Sequence, residues 1–380
     1  MLPLKILVDE NVPYADAMFA PFGEIHRFAG RTLSAAELGD AQALIVRSVT
    51  KVDRDLLAGS QIKFVGSCTI GADHLDMDYL ARSGVAAYTA PGCNANSVAD
   101  YVISVICACG DRLEVLRHGG RVGLVGFGNV GRTVAERLAR LSIDSVAYDP
   151  LLVQDSDPRL STLDEVLRCE VMSVHAPLTT GGNYPSYHML TAKQLSGLPD
   201  GALLISAGRG GVIATHDLLA LKQQRPDIHL AMDVWEGEPS VDKRLADLCL
   251  IATPHIAGYS LDGKVAGTRM IAERLADYVA DSGSGELALP GVALPRPSIG
   301  LKAEGDNALL REAVAAVYDV CADDKRFRES LLAEDPAKQF DALRKHYPER
   351  REFAFCDYRG AGKALSAAQL NLLAALQGSK

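Results

Sequence analysis

The sequence predicts an α/β protein of two doubly wound parallel-sheet domains followed by a small C-terminal α+β domain. Three observations carry that expectation. Short apolar runs alternate with amphipathic segments along most of the chain, the pattern of parallel strands joined by helices. One of these runs leads through Gly126-Phe127-Gly128-Asn129-Val130-Gly131 into a helical stretch, giving strand, glycine-rich turn and helix in succession. A Pro-, Gly- and Ser-rich segment over residues 281–300 then sets apart the chain that follows it.

Taken in order, residues 5–8, 43–46, 64–66 and 85–88 read as the strands of a first unit. From Asn94 an apolar-rich helix runs to about Leu116, with Asn94, Asn96 and Ser97 as candidate caps. Residues 122–125 open a second unit at the glycine turn, and 130–141 form the helix after it. Further strands follow at 145–148, 171–174, 202–205, 229–232 and 249–252, each ending in a polar or Gly/Pro turn. The tail carries helical runs around 309–320 and 364–376 and the stretch Glu352-Phe353-Ala354-Phe355. It is too short for a robust core of its own, so an oligomerisation or capping role is expected.

Composition narrows the class. Of 380 residues, 48% are hydrophobic, which supports a large core and excludes a disordered chain. A net charge of −9 argues against nucleic acid as a partner. An anionic substrate must then be held by a few local cations. The eight cysteines are scattered, and Cys107 and Cys109 have poor metal-ligand spacing, so reduced core thiols and no metal are expected. Asp9 and Glu10 cut short the first apolar run, which removes a secretory signal. No apolar run nears the ~20 residues of a membrane span. A soluble cytoplasmic protein without a membrane partner is expected.

The glycine turn predicts dinucleotide binding. Gly126 permits the tight turn, Gly128 has no side chain to block a pyrophosphate, and Gly131 lets the helix pack closely on the strand. At Asn129 and Val130 the helix N-terminus offers unpaired N–H groups to phosphates. Asp149 ends the next strand near the spacing expected of a ribose-binding acid. Pro150, Leu151 and Leu152 follow it without a cation for a 2′-phosphate, so NAD is favoured over NADP.

Three later sequences follow strands, where ligands bind in open parallel sheets. They are Ser206-Ala207-Gly208-Arg209-Gly210-Gly211, Asp233-Val234-Trp235-Glu236-Gly237-Glu238-Pro239 and Thr253-Pro254-His255-Ile256-Ala257-Gly258-Tyr259-Ser260. If consecutive strands are neighbours, Arg209, Glu238 and His255 converge. A histidine can take the hydroxyl proton as a hydride leaves carbon, a carboxylate can fix its tautomer, and a guanidinium can grip a carboxylate in a bidentate fork.

In this order, with Ser173-Val174-His175-Ala176-Pro177-Leu178, these motifs resemble the D-isomer-specific 2-hydroxyacid dehydrogenases over residues 4–280. The resemblance implies Rossmann-like domains, with substrate-binding over 1–93 and 258–285 and NAD binding over 94–257. It gives Arg209 the substrate carboxylate, Glu238 the tuning of the histidine, and His255 the proton. The narrower motifs Ile6-Leu7-Val8-Asp9-Glu10-Asn11, Val46-Arg47-Ser48-Val49-Thr50, Ala90-Pro91-Gly92-Cys93-Asn94 and His255-Ile256-Ala257-Gly258-Tyr259 are similar to one branch of that family. Its members oxidise 4-phospho-D-erythronate at C2 in pyridoxal phosphate synthesis and carry a tail for homodimerisation, here 291–380. The branch implies Ser48, Thr69 and Tyr259 as substrate ligands, and Asp149, Ala207, Gly208, Arg209, Asp233 and Gly258 as NAD ligands.

A phosphorylated acid has two anionic ends. Arg47, Ser48 and Thr69 are candidate donors to the phosphate, whereas Lys345, His346, Arg350 and Arg351 are expected to form a solvated face rather than to approach a phosphate across a dimer. Three positions depart from the family pattern. Ser206 replaces an Asn, Glu170 an Asp or Asn, and Ala214 an Asp, with Thr215 expected to take over the capping that Ala214 cannot supply. Two alternatives stay open: a dehydrogenase of another 2-hydroxy acid such as 3-phosphoglycerate or glycerate, and an NAD-sensing corepressor scaffold, which the full trio weighs against.

Overall fold

A computed structural model describes residues 3–281, 288–362 and 364–378. The chain divides into two compact units, Met1–Asn94 with Leu261–Pro295, and Ala95–Ser260 with Arg296–Lys380. The 281–300 segment lies partly outside the described residues, at 282–287.

The first unit is a five-stranded parallel sheet ordered β2-β1-β3-β4-β5. Its strands are Leu4–Asp9 (β1), Gly23–Phe28 (β2), Ala43–Val46 (β3), Phe64–Ser67 (β4) and Ala86–Tyr88 (β5). β3 and β4 are buried throughout, which is why they read as unbroken apolar runs. β2 gives no such signal, because it is an edge strand that buries only Phe28. The helix Leu261–Val279 packs tightly on the sheet: a Cβ on Gly66 would lie 2.3 Å from Ile271 Cγ2.

The second unit holds Arg121–Val125 (β6), Asp144–Tyr148 (β7), Val171–Val174 (β8), Leu203–Ser206 (β9), His229–Met232 (β10) and Ile251–Ala252 (β11). They form a parallel sheet ordered β11-β10-β9-β8-β6-β7. The chain leaves β6 for β7 on one side and returns to β8 on the other. That reversal opens a crevice at the carboxyl ends of β6 and β8, where such sheets bind ligands.

The tail is part of this second unit. Ser298–Leu301 (β12) pairs in parallel with Asp357–Gly360 (β13), so the stretch read as a linker ends in a strand. Leu309, Leu310, Val314, Phe353, Leu372 and Leu376 share one core with the helix Ala95–Ala108. That helix is buried nearly all round and therefore needs partners on every side. Phe327 and Phe340 join Trp235 in a second core, with the Trp235 and Phe327 rings 5.6 Å apart.

Buried charge stitches the tail in place. Arg137 meets Asp100 at 3.2 Å with both side chains under 5% exposed, and Asp100 accepts Phe353 N–H at 2.8 Å. Arg350 is 5% exposed, lies 3.9 Å from the Tyr318 ring centre, and donates to Ser97 and to the Ala257 carbonyl. The expected solvated face of Lys345, His346, Arg350 and Arg351 is therefore corrected at Arg350, whose guanidinium is a structural post.

Two helix limits also differ from expectation. The run expected to reach Leu116 breaks at Gly110, φ +58°, between helices Ala95–Ala108 and Arg112–Arg117. The run expected to reach residue 320 ends at Val317, and separate helices follow at Val320–Ser330 and Pro336–Lys345.

Candidate active site

The glycine turn takes its shape from what each glycine touches. Gly126 has φ +91°, and a Cβ there would sit 2.7 Å from Ala176 N. A Cβ on Gly131 would come within 2.2 Å of the Gly126 carbonyl oxygen. A Cβ on Gly128 would meet nothing within 4 Å, so the absent side chain leaves open space there. The helix Asn129–Arg140 begins at that point with no side-chain cap, leaving its first N–H groups for a ligand. Asn129 is exposed and Val130 packs partly into the core. Asp149 stands beside the turn, accepting Phe127 N–H at 2.9 Å and Leu151 N–H at 3.1 Å.

Phe127 was not expected to matter. Its ring is fully buried beneath two guanidiniums, with Arg132 at 4.7 Å and Arg159 at 5.1 Å. Both arginines reach Asp157, whose carboxyl is drawn down to about 2, chiefly by the Arg159 hydrogen bond.

β9, β10 and β11 are consecutive in the sheet, so the three loops after them are neighbours. Asp233, expected among the cofactor contacts, is 1% exposed and engaged internally. Its carboxylate accepts Thr253 Oγ1 at 2.7 Å, Ile256 N–H at 2.8 Å and Ala257 N–H at 2.9 Å. Its carbonyl accepts His255 N–H at 2.7 Å. These bonds hold His255 at φ +56°, a conformation costly for a residue with a Cβ.

Glu238 Oε2 accepts from His255 Nδ1 at 2.7 Å, and Glu238 Oε1 accepts Trp235 N–H at 2.8 Å. The first contact places the ring proton on Nδ1 and leaves Nε2 to exchange one. Burial raises the Glu238 carboxyl, but the His255 hydrogen bond and charge outweigh it and hold the group below its ordinary value.

Arg209 is half-buried, and its Nη1 donates to the Gly208 carbonyl at 3.0 Å. Its loop lies directly on the glutamate loop: a Cβ on Gly210 would fall 2.0 Å from the Trp235 carbonyl. A Cβ on Gly208 would be 2.9 Å from Ala176 O, on the same residue that Gly126 abuts. The end of β8 thus joins the glycine turn to the Ala207–Arg209 loop. His175, at that end, bonds Ser173 Oγ at 2.9 Å, and burial pushes its imidazole down to about 4. Gly258 and Tyr259 follow in a half-buried turn closed by Tyr259 N–H to Ile256 O at 2.8 Å.

In the first unit, half-buried Arg47 and exposed Ser48 follow β3. Thr69 follows β4, with its hydroxyl 2.8 Å from Ser67 Oγ.

The departures resolve in different ways. Glu170 accepts Arg121 N–H at 2.8 Å at the amino end of β6, away from the strand ends that carry the loops. Ser206 is buried, and its carbonyl accepts Asp233 N–H at 2.9 Å. Thr215 does not cap its helix. Glu236 does so, accepting Thr215 N–H at 2.8 Å with one oxygen and meeting His188 Nε2 at 2.6 Å with the other. The missing acid at Ala214 was the signal for such an acceptor, but nothing in the sequence said which carboxylate would arrive.

Residues 110–257 match the family "D-isomer specific 2-hydroxyacid dehydrogenase, NAD binding domain", and 289–376 match "Domain of unknown function (DUF3410)". The erythronate-4-phosphate dehydrogenase of Teredinibacter turnerae is 45% identical over 92% of this chain and 94% of its own. That of Stutzerimonas stutzeri is 47% identical over 92% and 93%. In fold, the NAD+-bound 3-phosphoglycerate dehydrogenase of Entamoeba histolytica aligns with TM-score 0.61 at 20% identity, covering 74% of this chain and 96% of that one. The D-lactate dehydrogenase of Aquifex aeolicus, complexed with NAD and lactic acid, aligns with TM-score 0.59 at 23% identity, covering 73% and 96%.

Proposed function

We propose, since this chain belongs to the erythronate-4-phosphate dehydrogenases within the D-isomer-specific 2-hydroxyacid dehydrogenases, that it oxidises the C2 hydroxyl of 4-phospho-D-erythronate with NAD. The product is 2-oxo-3-hydroxy-4-phosphobutanoate, in pyridoxal 5′-phosphate synthesis. The observation that carries the chemistry is the 2.7 Å contact of His255 Nδ1 with Glu238, on a loop neighbouring that of Arg209.

The residues present fit the dinucleotide. Open space at Gly128 and the uncapped N–H groups after it suit a pyrophosphate, and Asp149 suits a ribose diol. Ala207, Gly208 and Gly258 are proposed backbone contacts, and Asp233 serves through the loop it holds. When bound, NAD supplies the acceptor for the hydride that leaves C2.

Arg209 grips the substrate carboxylate, which aims the neighbouring carbinol. His255 Nε2 takes the hydroxyl proton, and Glu238 stabilises the imidazolium that results. In the reverse direction the same ring returns the proton. Tyr259, and in the first unit Arg47, Ser48 and Thr69, are proposed as further substrate donors.

We also assign the 291–380 tail a role in homodimerisation, with Leu332 and Leu370, 75% and 51% exposed, as the side chains a second copy would cover. A solution mass of one chain would refute that role. The eight free thiols fit a reducing cytoplasm. No described helix is long and apolar enough to cross a membrane.

The test is NADH formation by the purified protein with 4-phosphoerythronate, 3-phosphoglycerate and glycerate. The first should give the highest kcat/KM. A better turnover of either other acid would overturn the substrate assignment.

A further inference from the structure

The substrate proposed above has a second anionic end, and the tail brings a guanidinium to the loop that would receive it. Arg344 lies in the last turn of the helix Pro336–Lys345. Its Cζ is 5.7 Å from the centre of the Tyr259 ring, four residues beyond His255. Tyr347 meets the same ring edge-on at 5.7 Å, so Tyr259 contacts two tail side chains. Leu343 and Tyr347, on either side of Arg344 in sequence, line a cavity of about 190 Å³ together with Pro254, the residue before His255. The tail therefore walls the histidine loop within one compact unit.

Arg344 has a donor to spare. Its Nε is buried and has no hydrogen-bond partner among the described residues. A buried N–H left unmade is costly, and more so on a charged group. Glu238 does not meet that need: its oxygens accept from His255 and Trp235, and neither takes the Arg344 Nε–H. Its carboxyl nevertheless feels the Arg344 charge, after the larger effects of burial and of His255 and Trp235, which places the two groups in one electrostatic neighbourhood. Arg350 also has a buried nitrogen, Nη1, without a hydrogen-bond partner among the described residues, but its Nη2 is tied to Ser97 and Ala257 and its guanidinium lies on Tyr318, while Arg326 pairs with Asp323.

We propose that Arg344 determines specificity for a phosphorylated substrate: its guanidinium, laid against Tyr259, takes the phosphate of the four-carbon acid whose carboxylate Arg209 holds. Both edges of a guanidinium can donate in parallel to phosphate oxygens, which an ammonium does less well. The proposal rests on the functional reading above. It explains why a dehydrogenase acting on a dianionic acid would carry this tail in its active unit.

The experiment uses the full chain with NAD. The readout is selectivity, the kcat/KM for 4-phosphoerythronate divided by that for erythronate. In Arg344→Gln the ratio should fall about 10- to 100-fold, the scale of one charge-assisted contact, with most of the loss in KM for the phosphorylated acid. Arg344→Lys should recover part of it. Equal losses on both acids, leaving the ratio intact, would show that Arg344 acts only through Glu238 or Tyr259 and overturn the proposal, as would no loss at all. Native-like NAD binding by each variant checks that it is folded. A wild-type protein without preference for the phosphorylated acid would overturn the functional reading itself. A wild-type preference that survives in Arg344→Gln would overturn Arg344 alone.

Discussion

Replacing Glu238 by Gln should cost far more activity than the loss of one charge, because the surroundings dictate which way the amide points. Trp235 N–H donates to Oε1 at 2.8 Å, so a glutamine must keep its carbonyl oxygen there. Its NH2 then faces His255 Nδ1, which the carboxylate contacts at 2.7 Å. Two donors now oppose each other. Turning the amide over would leave a buried backbone N–H unpaired at about 1–3 kcal/mol, a bias of roughly 5- to 150-fold at 25 °C. The imidazole yields instead: it accepts at Nδ1 and carries its proton on Nε2, where the reaction needs a base. Loss of the carboxylate partner and the correct tautomer should lower kcat by about 100- to 10,000-fold. NAD affinity should stay within about threefold, since the change is remote from the glycine turn. Single-turnover NADH formation reads the rate, and thermal stabilisation by NAD reads the affinity. A kcat within about fivefold of wild type would refute the role of the pair.

Further substitutions separate the roles of other residues. Gly128→Val should leave stability without NAD within about 0.5 kcal/mol, as the added side chain meets open space, yet abolish the rise in Tm on adding NAD; a retained rise would sink the pyrophosphate assignment. Asp157 has a folded value near 2, below its ordinary 3.8, so its contribution is present above about pH 4 and lost as pH falls towards 2. Asp157→Asn should therefore remove about 1 kcal/mol at neutral pH, after allowing for the partly exposed Arg159, and almost none at pH 2. Denaturant midpoints at both pH values check this, and an equal loss at each would contradict it. Glu236→Ala should destabilise by about 1–2 kcal/mol by uncapping Thr215 and freeing His188. A change in Tm of less than a degree would show that the contact carries no weight.

Much of the site could be read in advance because its residues sit at fixed offsets from strands. Gly126, Gly128 and Gly131 are dictated by a turn that must bend, open and pack at those positions, and the structure shows each doing one of these things. Strands buried on both faces, such as β3 and β8, announce themselves as apolar runs. The edge strand β2 does not, and the paired strands β12 and β13 bury only Leu301 fully, so both were missed. The family resemblance implies Asp233 as an NAD contact, and only the fold shows that its carboxylate also accepts three donors from the next loop. Arg350 looked like surface charge in a basic run, and its burial depends on Tyr318, Ser97 and Ala257, none of them near it in sequence.

The sequence by itself determined the dinucleotide turn, the alternation of strand and helix, and the order of guanidinium, carboxylate and imidazole, because each is written in local spacing and residue type. Only the tertiary structure decided which acid caps Thr215, what holds His255 in its left-handed backbone, and that a tail helix brings Arg344 to Tyr259. Those outcomes depend on which buried polar group finds a partner across long stretches of chain. Pairing of that kind is settled by packing and desolvation, and no local pattern records it.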